Sequence, residues 1–372
     1  MVRWRIAGAM LALGLAACEG AGGGEIRVGL AGSMGTAGGR AVRQGVQLAV
    51  DEINGRGGIG GRKVALVVKD DSGNAHRAIQ VAQELRDDPG VVAVIGHINS
   101  GATLAAAPVY NDPRNGVAAL SPTASSPEVT RAGAWTFRVS PSDLAYGPAL
   151  ARWGRARGQR RAAILYANDD YGRGVSASFA SAFQAAGGQV ISRDPYLTEM
   201  LTTGTGAEPY LRRALARGMD ALFIAGRAED AAAILPQVRR LGYTGGVMGA
   251  DGLLGIEAEG DVGEGLFIGA AFFADARGEA ATRFVGEYRK RYGQAANADA
   301  ALAYDAMLVV ARALENARDR AGIRAYLEGI GSRHPAVEGV TGAIRFDRNG
   351  DVAQKQVAVG VVRGGTVVSA GQ

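Results

Sequence analysis

The segment that decides the fold is Val94-Ile95-Gly96-His97-Ile98-Asn99-Ser100-Gly101-Ala102-Thr103. It extends the apolar run Val91–Ile95, which predicts a buried strand, and its small polar residues predict a helix over Ser100–Tyr110. A strand that turns at a glycine directly into a helix is typical of parallel α/β sheets. The free N–H groups of such a helix start can hold an anion. A plain helix cap at Asn99 or Ser100 is the alternative, and the segment alone favours the cap.

The same alternation of short strands and longer helices extends along most of the chain. In the first half the predicted strands are Ile26–Leu30, Val64–Lys69, Val91–Ile95 and Val117–Leu120, with helices over 40–55, 75–86 and 100–110. In the second half they are Ala162–Tyr166, Gln189–Ser192, Ala221–Ile224, Gly246–Met248 and Leu266–Gly269, with helices over 172–186, 209–217 and 230–241. The fold class is therefore α/β, with two Rossmann-like lobes and parallel central sheets.

The last hundred residues do not repeat this unit. Thr282–Tyr292 and Ala298–Ala317 read as consecutive helices, followed by short alternating runs. This tail is best explained if the chain crosses between the lobes near Ser140, Phe273 and Ala353. The predicted lobes are 25–140 with 274–353, and 141–273 with 354–372.

Composition and charge exclude several classes of protein. The 372 residues are 47% hydrophobic and 21% charged, as in ordinary globular proteins. The 41 Lys and Arg are interspersed with 36 Asp and Glu, and no aromatic side chains interleave with basic clusters. Nucleic-acid binding is therefore not expected.

Residues 1–24 read as an export signal and a flexible tether. A basic start and the apolar run Ile6–Leu15 precede Leu15-Ala16-Ala17-Cys18, and 19–24 is glycine-rich. The run is shorter than the roughly 20 apolar residues that cross a bilayer. Leu15-Ala16-Ala17-Cys18 resembles the lipobox of bacterial lipoproteins, which implies lipidation of Cys18. The alternative is an incidental cysteine near an ordinary cleavage site. We expect a periplasmic or cell-surface protein attached to a membrane only by lipid.

Catalytic and metal-binding patterns are incomplete. Gly32-Ser33-Met34-Gly35 lacks the first glycine of the hydrolase elbow and has no matching histidine. The three histidines, His76, His97 and His334, share no ligand spacing with one another or with a cysteine. The glycine spacing after the first strand is also wrong for a dinucleotide fingerprint. We expect no enzyme activity, metal or cofactor.

A second polar loop points to a binding site. The predicted strand that ends at Leu120 is followed by Ser121-Pro122-Thr123-Ala124-Ser125-Ser126. Ligands of open α/β sheets bind beyond the carboxyl ends of strands, which is where this loop and Ser100 lie. The two segments together favour a ligand site over a plain cap.

Several motifs together resemble the leucine/isoleucine/valine-binding family of type I periplasmic solute-binding proteins, the substrate-binding components of ABC importers. They are Asp51-Glu52-Ile53-Asn54 with Gly57-Gly58-Ile59, Asp70-Asp71, Ile95-Gly96-His97, Ser121-Pro122-Thr123 and Asn168-Asp169-Asp170-Tyr171-Gly172. The resemblance implies two lobes joined by a three-crossover hinge. It also implies capture of a small polar solute, an amino acid or related carboxylate, for delivery to a membrane permease.

The resemblance assigns roles to six residues. Ser100, assisted by Ser125, would hold the ligand α-carboxylate. The Thr123 carbonyl and Asp251 would hold the ammonium, and Tyr171 would close over the ligand. Donors on one side and an acceptor on the other suit a zwitterion.

Two positions depart from the family pattern. Gly38 stands where relatives that bind branched-chain amino acids carry an aromatic residue, so the pocket would be larger. Arg227 stands where a tyrosine commonly faces the ligand. Its guanidinium would either bind a second ligand carboxylate or pair with Asp251 when the lobes close.

Two other functions compete with transport. The same two-lobed module could act as a sensor that reports occupancy to a regulator, for which a fused receptor would need a spanning helix after Gln372. A hydrolase using Ser33 or Ser100 lacks a credible base.

Overall fold

The computed structural model describes residues 24–201, 206–352 and 354–371. Cys18, the predicted signal and Ala353 lie outside the described residues. No helix in the described ranges is both long enough and apolar enough to cross a bilayer.

The first sheet contains five parallel strands in the order β2-β1-β3-β4-β5. The strands are β1 Ile26–Gly32, β2 Val64–Asp70, β3 Val91–Ile95, β4 Ala119–Ser121 and β5 Thr136–Arg138. The helices that connect the first four are α1 Ala37–Gly55, α2 Ala75–Asp87 and α3 Ser100–Tyr110.

The second sheet has seven strands in the order β14-β13-β10-β9-β8-β6-β7. Five of them are parallel: β6 Arg161–Ala167, β7 Gln189–Tyr196, β8 Ala221–Ala225, β9 Gly246–Gly249 and β10 Phe267–Ala270. The helices of this part are α4 Asp143–Ala156, α5 Asp170–Ala185, α6 Thr198–Leu201, α7 Glu208–Ala216 and α8 Ala228–Arg240. The final strands β13 Ala358–Arg363 and β14 Thr366–Ser369 add an antiparallel edge beside β10.

The segment that follows β10 in the sequence returns to the first sheet. It comprises α9 Glu279–Tyr292, α10 Ala298–Asn316, α11 Arg320–Gly329 and the antiparallel pair β11 Val337–Gly339 and β12 Gly342–Ile344. Helix α10 packs along α1 and is buried over most of its surface. At Gly45 a Cβ atom would collide with the backbone of Ala300, so glycine permits this close approach.

The five parallel strands of each sheet have the same order. In the second sheet the order β7-β6-β8-β9-β10 repeats β2-β1-β3-β4-β5. Parallel sheets of this order bind ligands at the carboxyl ends of two neighbouring strands whose following helices lie on opposite faces of the sheet. These points lie between β1 and β3 in one lobe and between β6 and β8 in the other, and their loops carry the candidate site.

Polar side chains fix the starts of several helices. Their oxygens accept backbone N–H bonds from the first turn, which satisfies donors that the helix itself leaves free. These N-cap residues are Thr36, Asn74, Ser142, Asp169, Asn297 and Asp319.

The predicted two-lobed α/β class with parallel central sheets is confirmed, and the bounds of β3 and α3 agree with the sequence prediction. The prediction omitted β5, β11, α4, α6 and α11. Helix α4 carries Gly147 and Pro148, both of which weaken a helical pattern.

Candidate ligand-binding site

A cavity of about 100 Å³ lies between the two sheets, at the carboxyl ends of their strands. It is lined by residues of both lobes: Ser33, Thr36, Ala37, Gly38, Gly39, Ile98, Asn99, Ser100, Thr123, Tyr171, Arg227, Ala228, Glu229, Asp251, Gly252, Leu254 and Asp299. Five of the six predicted ligand residues line it. The sixth, Ser125, is buried beside it.

The start of α3 forms one wall of the cavity. Asn99 occupies the N-cap position but makes no capping hydrogen bond with its side chain. Its Oδ1 instead accepts a hydrogen bond from the hydroxyl of Ser33 at 3.2 Å. The interpretation of Asn99 as a side-chain cap is therefore wrong. The N–H groups of the first turn keep their capacity to bind an anion.

Ser100 is placed to donate to such an anion. Its Oγ accepts a hydrogen bond from the backbone N–H of Ser126 at 3.2 Å, so the hydroxyl proton is available. Thr123 also lines the cavity, and its hydroxyl donates to the carbonyl of Ile98 at 2.8 Å. The Ser125 Oγ is buried and has no hydrogen-bond partner.

A buried network behind this wall holds the loop after β3. His97 is fully buried, with Nδ1 2.5 Å from Oδ2 of Asp71 and Nε2 3.0 Å from the hydroxyl of Tyr110. The His97 carbonyl accepts from the hydroxyl of Ser121 at 2.6 Å. Both ring nitrogens are engaged, so His97 positions the loop and is not a base for Ser33 or Ser100.

The opposite wall presents an acidic group. The hydroxyl of Tyr171 donates to Oδ1 of Asp251 at 3.0 Å and accepts from the N–H of Gly252 at 2.8 Å. Burial raises the pKa of Asp251 to about 7. No described cation forms an ion pair with Asp251, so a positively charged ligand group would relieve the cost of its burial.

Arg227 does not pair with Asp251. Its guanidinium lies 2.7 Å from Oδ2 of Asp169, in the same lobe, while Oδ1 of Asp169 caps α5 by accepting from the N–H of Gly172 at 2.8 Å. The structure pairs Arg227 with Asp169, and the pairing with Asp251 on closure of the lobes stays a prediction. The neighbouring Asp169 charge also weakens the case for a second ligand carboxylate at Arg227.

Two acidic lining residues were missed by the sequence analysis. Asp299, in the first turn of α10, is 9% exposed and faces the cavity. Glu229, in the first turn of α8, stands exposed at the rim. No sequence signal marked Asp299, because its place in the cavity depends on the chain returning to the first lobe.

Metal binding finds no support in the parts of the chain that the structure describes. No group of three or more His, Cys, Asp or Glu side chains there could hold a metal ion.

A cleft between two α/β lobes, with the start of a helix on one wall and a buried carboxylate on the other, is typical of two-lobed solute-binding proteins. Residues 25–366 match the family model described as periplasmic binding protein, and the chain belongs to that family. The family consists of extracytoplasmic solute-binding proteins and not of enzymes.

Individual relatives agree with this assignment. The chain is 27% identical over 318 residues to the leucine-, isoleucine-, valine-, threonine-, and alanine-binding protein of Pseudomonas aeruginosa, covering 83% of this chain and 82% of that protein. An ABC transporter substrate-binding protein from Desulfitobacterium hafniense, solved in complex with leucine, is 31% identical with a TM-score of 0.79, covering 93% of this chain and 99% of that one. A leucine-binding protein, LivK, from Thermotoga maritima is 29% identical with a TM-score of 0.84, covering 93% and 98%.

Proposed function

We propose that this protein captures an amino acid outside the cytoplasm and delivers it to the permease of an ABC importer. The observation that carries the proposal is the polarity of the cavity. Hydroxyl and N–H donors of Ser100 and α3 face it from one lobe, and the buried Asp251 carboxylate faces it from the other. A zwitterion with a carboxylate and an ammonium matches this arrangement.

The relatives support an amino acid as ligand. The Pseudomonas aeruginosa protein is named for binding leucine, isoleucine, valine, threonine and alanine, and the Desulfitobacterium hafniense and Thermotoga maritima proteins are described with leucine. In this chain Ser100 would bind the α-carboxylate, and Asp251 with the Thr123 carbonyl would bind the ammonium. Tyr171 is positioned by its bond to Asp251 and would cover the ligand.

Capture occurs by closure of the lobes around the solute. The proposed lobes are 25–140 with 274–353 and 141–273 with 354–372, and the return of α9–α11 to the first sheet and of β13–β14 to the second supports these bounds. Closure excludes water and so strengthens the charged contacts. The closed form is the one that a permease would distinguish from the open form.

A thermal-shift screen of the protein against amino acids, dicarboxylates, amides and aromatic acids tests this function. A ligand present at 100 times its Kd adds about 2.7 kcal/mol to the free energy of unfolding. We expect amino acids to raise Tm and to make the small-angle scattering profile more compact. Conversion of the bound solute to a product, or an unchanged scattering profile with saturating ligand, would contradict capture by closure.

Attachment through Cys18 is a separate part of the proposal. The basic start, the short apolar run and Leu15-Ala16-Ala17-Cys18 support lipidation of that cysteine. Two acyl chains hold a protein on a membrane far more firmly than one. We expect the wild-type protein to enter the detergent phase on phase separation and Cys18→Ala to remain in the aqueous phase. Equal partitioning of the two would contradict the anchor.

A further inference from the structure

Asp299 is a second acidic group that faces the ligand cavity. It lies in the first turn of α10, on the first lobe, whereas Asp251 follows β9 on the second lobe. The side chain is more than nine-tenths buried, and its carboxylate forms no hydrogen bond or ion pair with any other described residue. The start of a helix favours a negative charge at this position.

Gly38 leaves the space in front of this carboxylate open. A Cβ atom built on Gly38 would lie 3.0 Å from Oδ2 of Asp299, so any larger side chain would press against the carboxylate. With glycine, a ligand group can occupy that space. Gly38 and the Asp299 carboxylate therefore form one subsite, in which the glycine provides space and the carboxylate provides charge.

The charges around the cavity do not balance. Asp251, Asp299 and the rim residue Glu229 contribute three carboxyl groups, and Arg227 contributes the one guanidinium among the described lining residues. Arg227 is already 2.7 Å from Asp169. A buried carboxylate without a partner is unfavourable, so either a proton or a cationic ligand group must accompany Asp299.

We infer that Asp299 binds a second cationic group of the ligand, so that the captured solute is a basic amino acid whose side chain ends in an amine or a guanidine. The inference rests on the proposed function and specifies its substrate class. Asp251 holds the α-ammonium, Ser100 the α-carboxylate, and Asp299 the group at the far end of the side chain. Gly38 provides the room for that side chain.

Isothermal titration calorimetry on the full chain tests this with lysine, ornithine and arginine against leucine, glutamine and glutamate. We expect at least one basic amino acid to bind about tenfold or more tightly than each of the other three. Asp299→Asn, which preserves shape, should weaken that binding about tenfold or more and change leucine binding less than about threefold. Glu315→Gln is the matched control, because it removes an exposed charge at the opposite end of α10, away from the cavity, and should alter every affinity less than about threefold.

The outcomes separate this inference from the proposed function. If leucine, glutamine or glutamate binds more tightly than all three basic amino acids, Asp299 does not select a cation, although amino acid capture stands. Glutamine preference would indicate a protonated Asp299 that donates to an amide oxygen. If no amino acid of any class binds, the proposed function fails as well. Gly38→Val is the second variant should Asp299→Asn not fold, and unchanged selectivity in it would also overturn the inference.

Discussion

The guanidinium of Arg138 and the carboxylate of Asp351 form a bidentate ion pair, with Nε 2.7 Å from Oδ1 and Nη2 2.6 Å from Oδ2. Arg138 ends β5, just before the first predicted crossover, and Asp351 lies just before the third. The remaining nitrogen of Arg138 donates to the carbonyls of Ser125 and Ser126 at 2.9 and 2.8 Å. One fully buried cation therefore joins the hinge to the loop that supports Ser100.

Breaking this pair should destabilise the protein. In Asp351→Ala the buried Arg138 would lose its counter-ion, and loss of one partner of a buried pair costs about 3–5 kcal/mol. We expect a decrease of this order in the free energy of unfolding measured with urea. The control Glu315→Ala removes an exposed pair with Arg312 and should cost less than about 1 kcal/mol. Equal effects of the two changes would contradict a structural role for the pair.

Binding of an amino acid should strengthen as the pH rises. Burial raises the pKa of Asp251 to about 7, and the ammonium of the ligand requires the ionised carboxylate. Calorimetry with a neutral amino acid should therefore give an affinity roughly tenfold lower at pH 6 than at pH 8. Asp251→Asn should bind more weakly and without this dependence. The same affinity at both pH values in the wild-type protein would exclude Asp251 as the ammonium partner.

Asp143 should make the folded state less stable at high pH. Both of its carboxylate oxygens are buried without a hydrogen-bond partner, and burial raises its pKa to about 8. Between about pH 4 and pH 8 the folded protein holds a proton that the unfolded chain has released, so stability falls as the pH rises. The free energy of unfolding of Asp143→Asn, measured relative to that of the wild type, should therefore be more than about 1 kcal/mol higher at pH 8 than at pH 5. In the control Glu287→Gln, which alters a half-exposed carboxylate, stability should depend on pH as it does in the wild type. The same pH dependence in Asp143→Asn as in the wild type would contradict a raised pKa of Asp143.

The two serines near the α-carboxylate should differ in importance. Ser100→Ala removes a hydroxyl that lines the cavity and should weaken amino acid binding about tenfold, as expected for a bond to a charged group. Ser125→Ala removes a buried hydroxyl outside the lining and should change the affinity less than about threefold. Calorimetry on both variants decides this. A larger loss in Ser125→Ala would support its predicted role in assisting Ser100.

Asp169 should keep Arg227 from binding acidic ligands. Asp169→Asn retains an N-cap oxygen for α5 but removes the charge opposite the guanidinium. The affinity for glutamate relative to leucine should then rise at least about threefold. Asp170→Asn, which affects an exposed pair with Arg173, is the adjacent control. An unchanged ratio in Asp169→Asn would show that Arg227 does not contact the ligand side chain.

Local patterns predicted most of the fold and the two loops that carry Ser100 and Thr123, whereas the family resemblance supplied Tyr171 and Asp251. Ser100, Thr123, Tyr171 and Asp251 each follow a strand whose apolar run is visible in the sequence, so the topology places them at one edge. Asp299 has no such mark. It reaches the cavity only because α10 packs on α1, a long-range contact that the helical pattern does not encode.

The partner of Arg227 shows a second limit of local patterns. The sequence offers several acidic residues as partners for the Arg227 guanidinium and does not show which of them forms the ion pair. Asp169 forms the pair because its role as N-cap of α5 already fixes it at the end of β6.

The direction of the last two strands was also beyond local patterns. Strands β13 and β14 form an antiparallel edge because of where the tail re-enters the second sheet, and the short alternating runs themselves do not specify strand direction.

The repeated strand order has an evolutionary consequence. Each lobe offers its own loops and helix starts to the shared cavity, and Gly38, Arg227 and Asp299 in these segments belong to no hydrophobic core cluster. Substitutions at Gly38 or Asp299 on one side, and at Arg227 on the other, can therefore accumulate without disturbing either scaffold. Such an architecture allows a lineage to change its ligand by substituting a few cavity-lining residues while the two sheets and the segments that connect them stay the same.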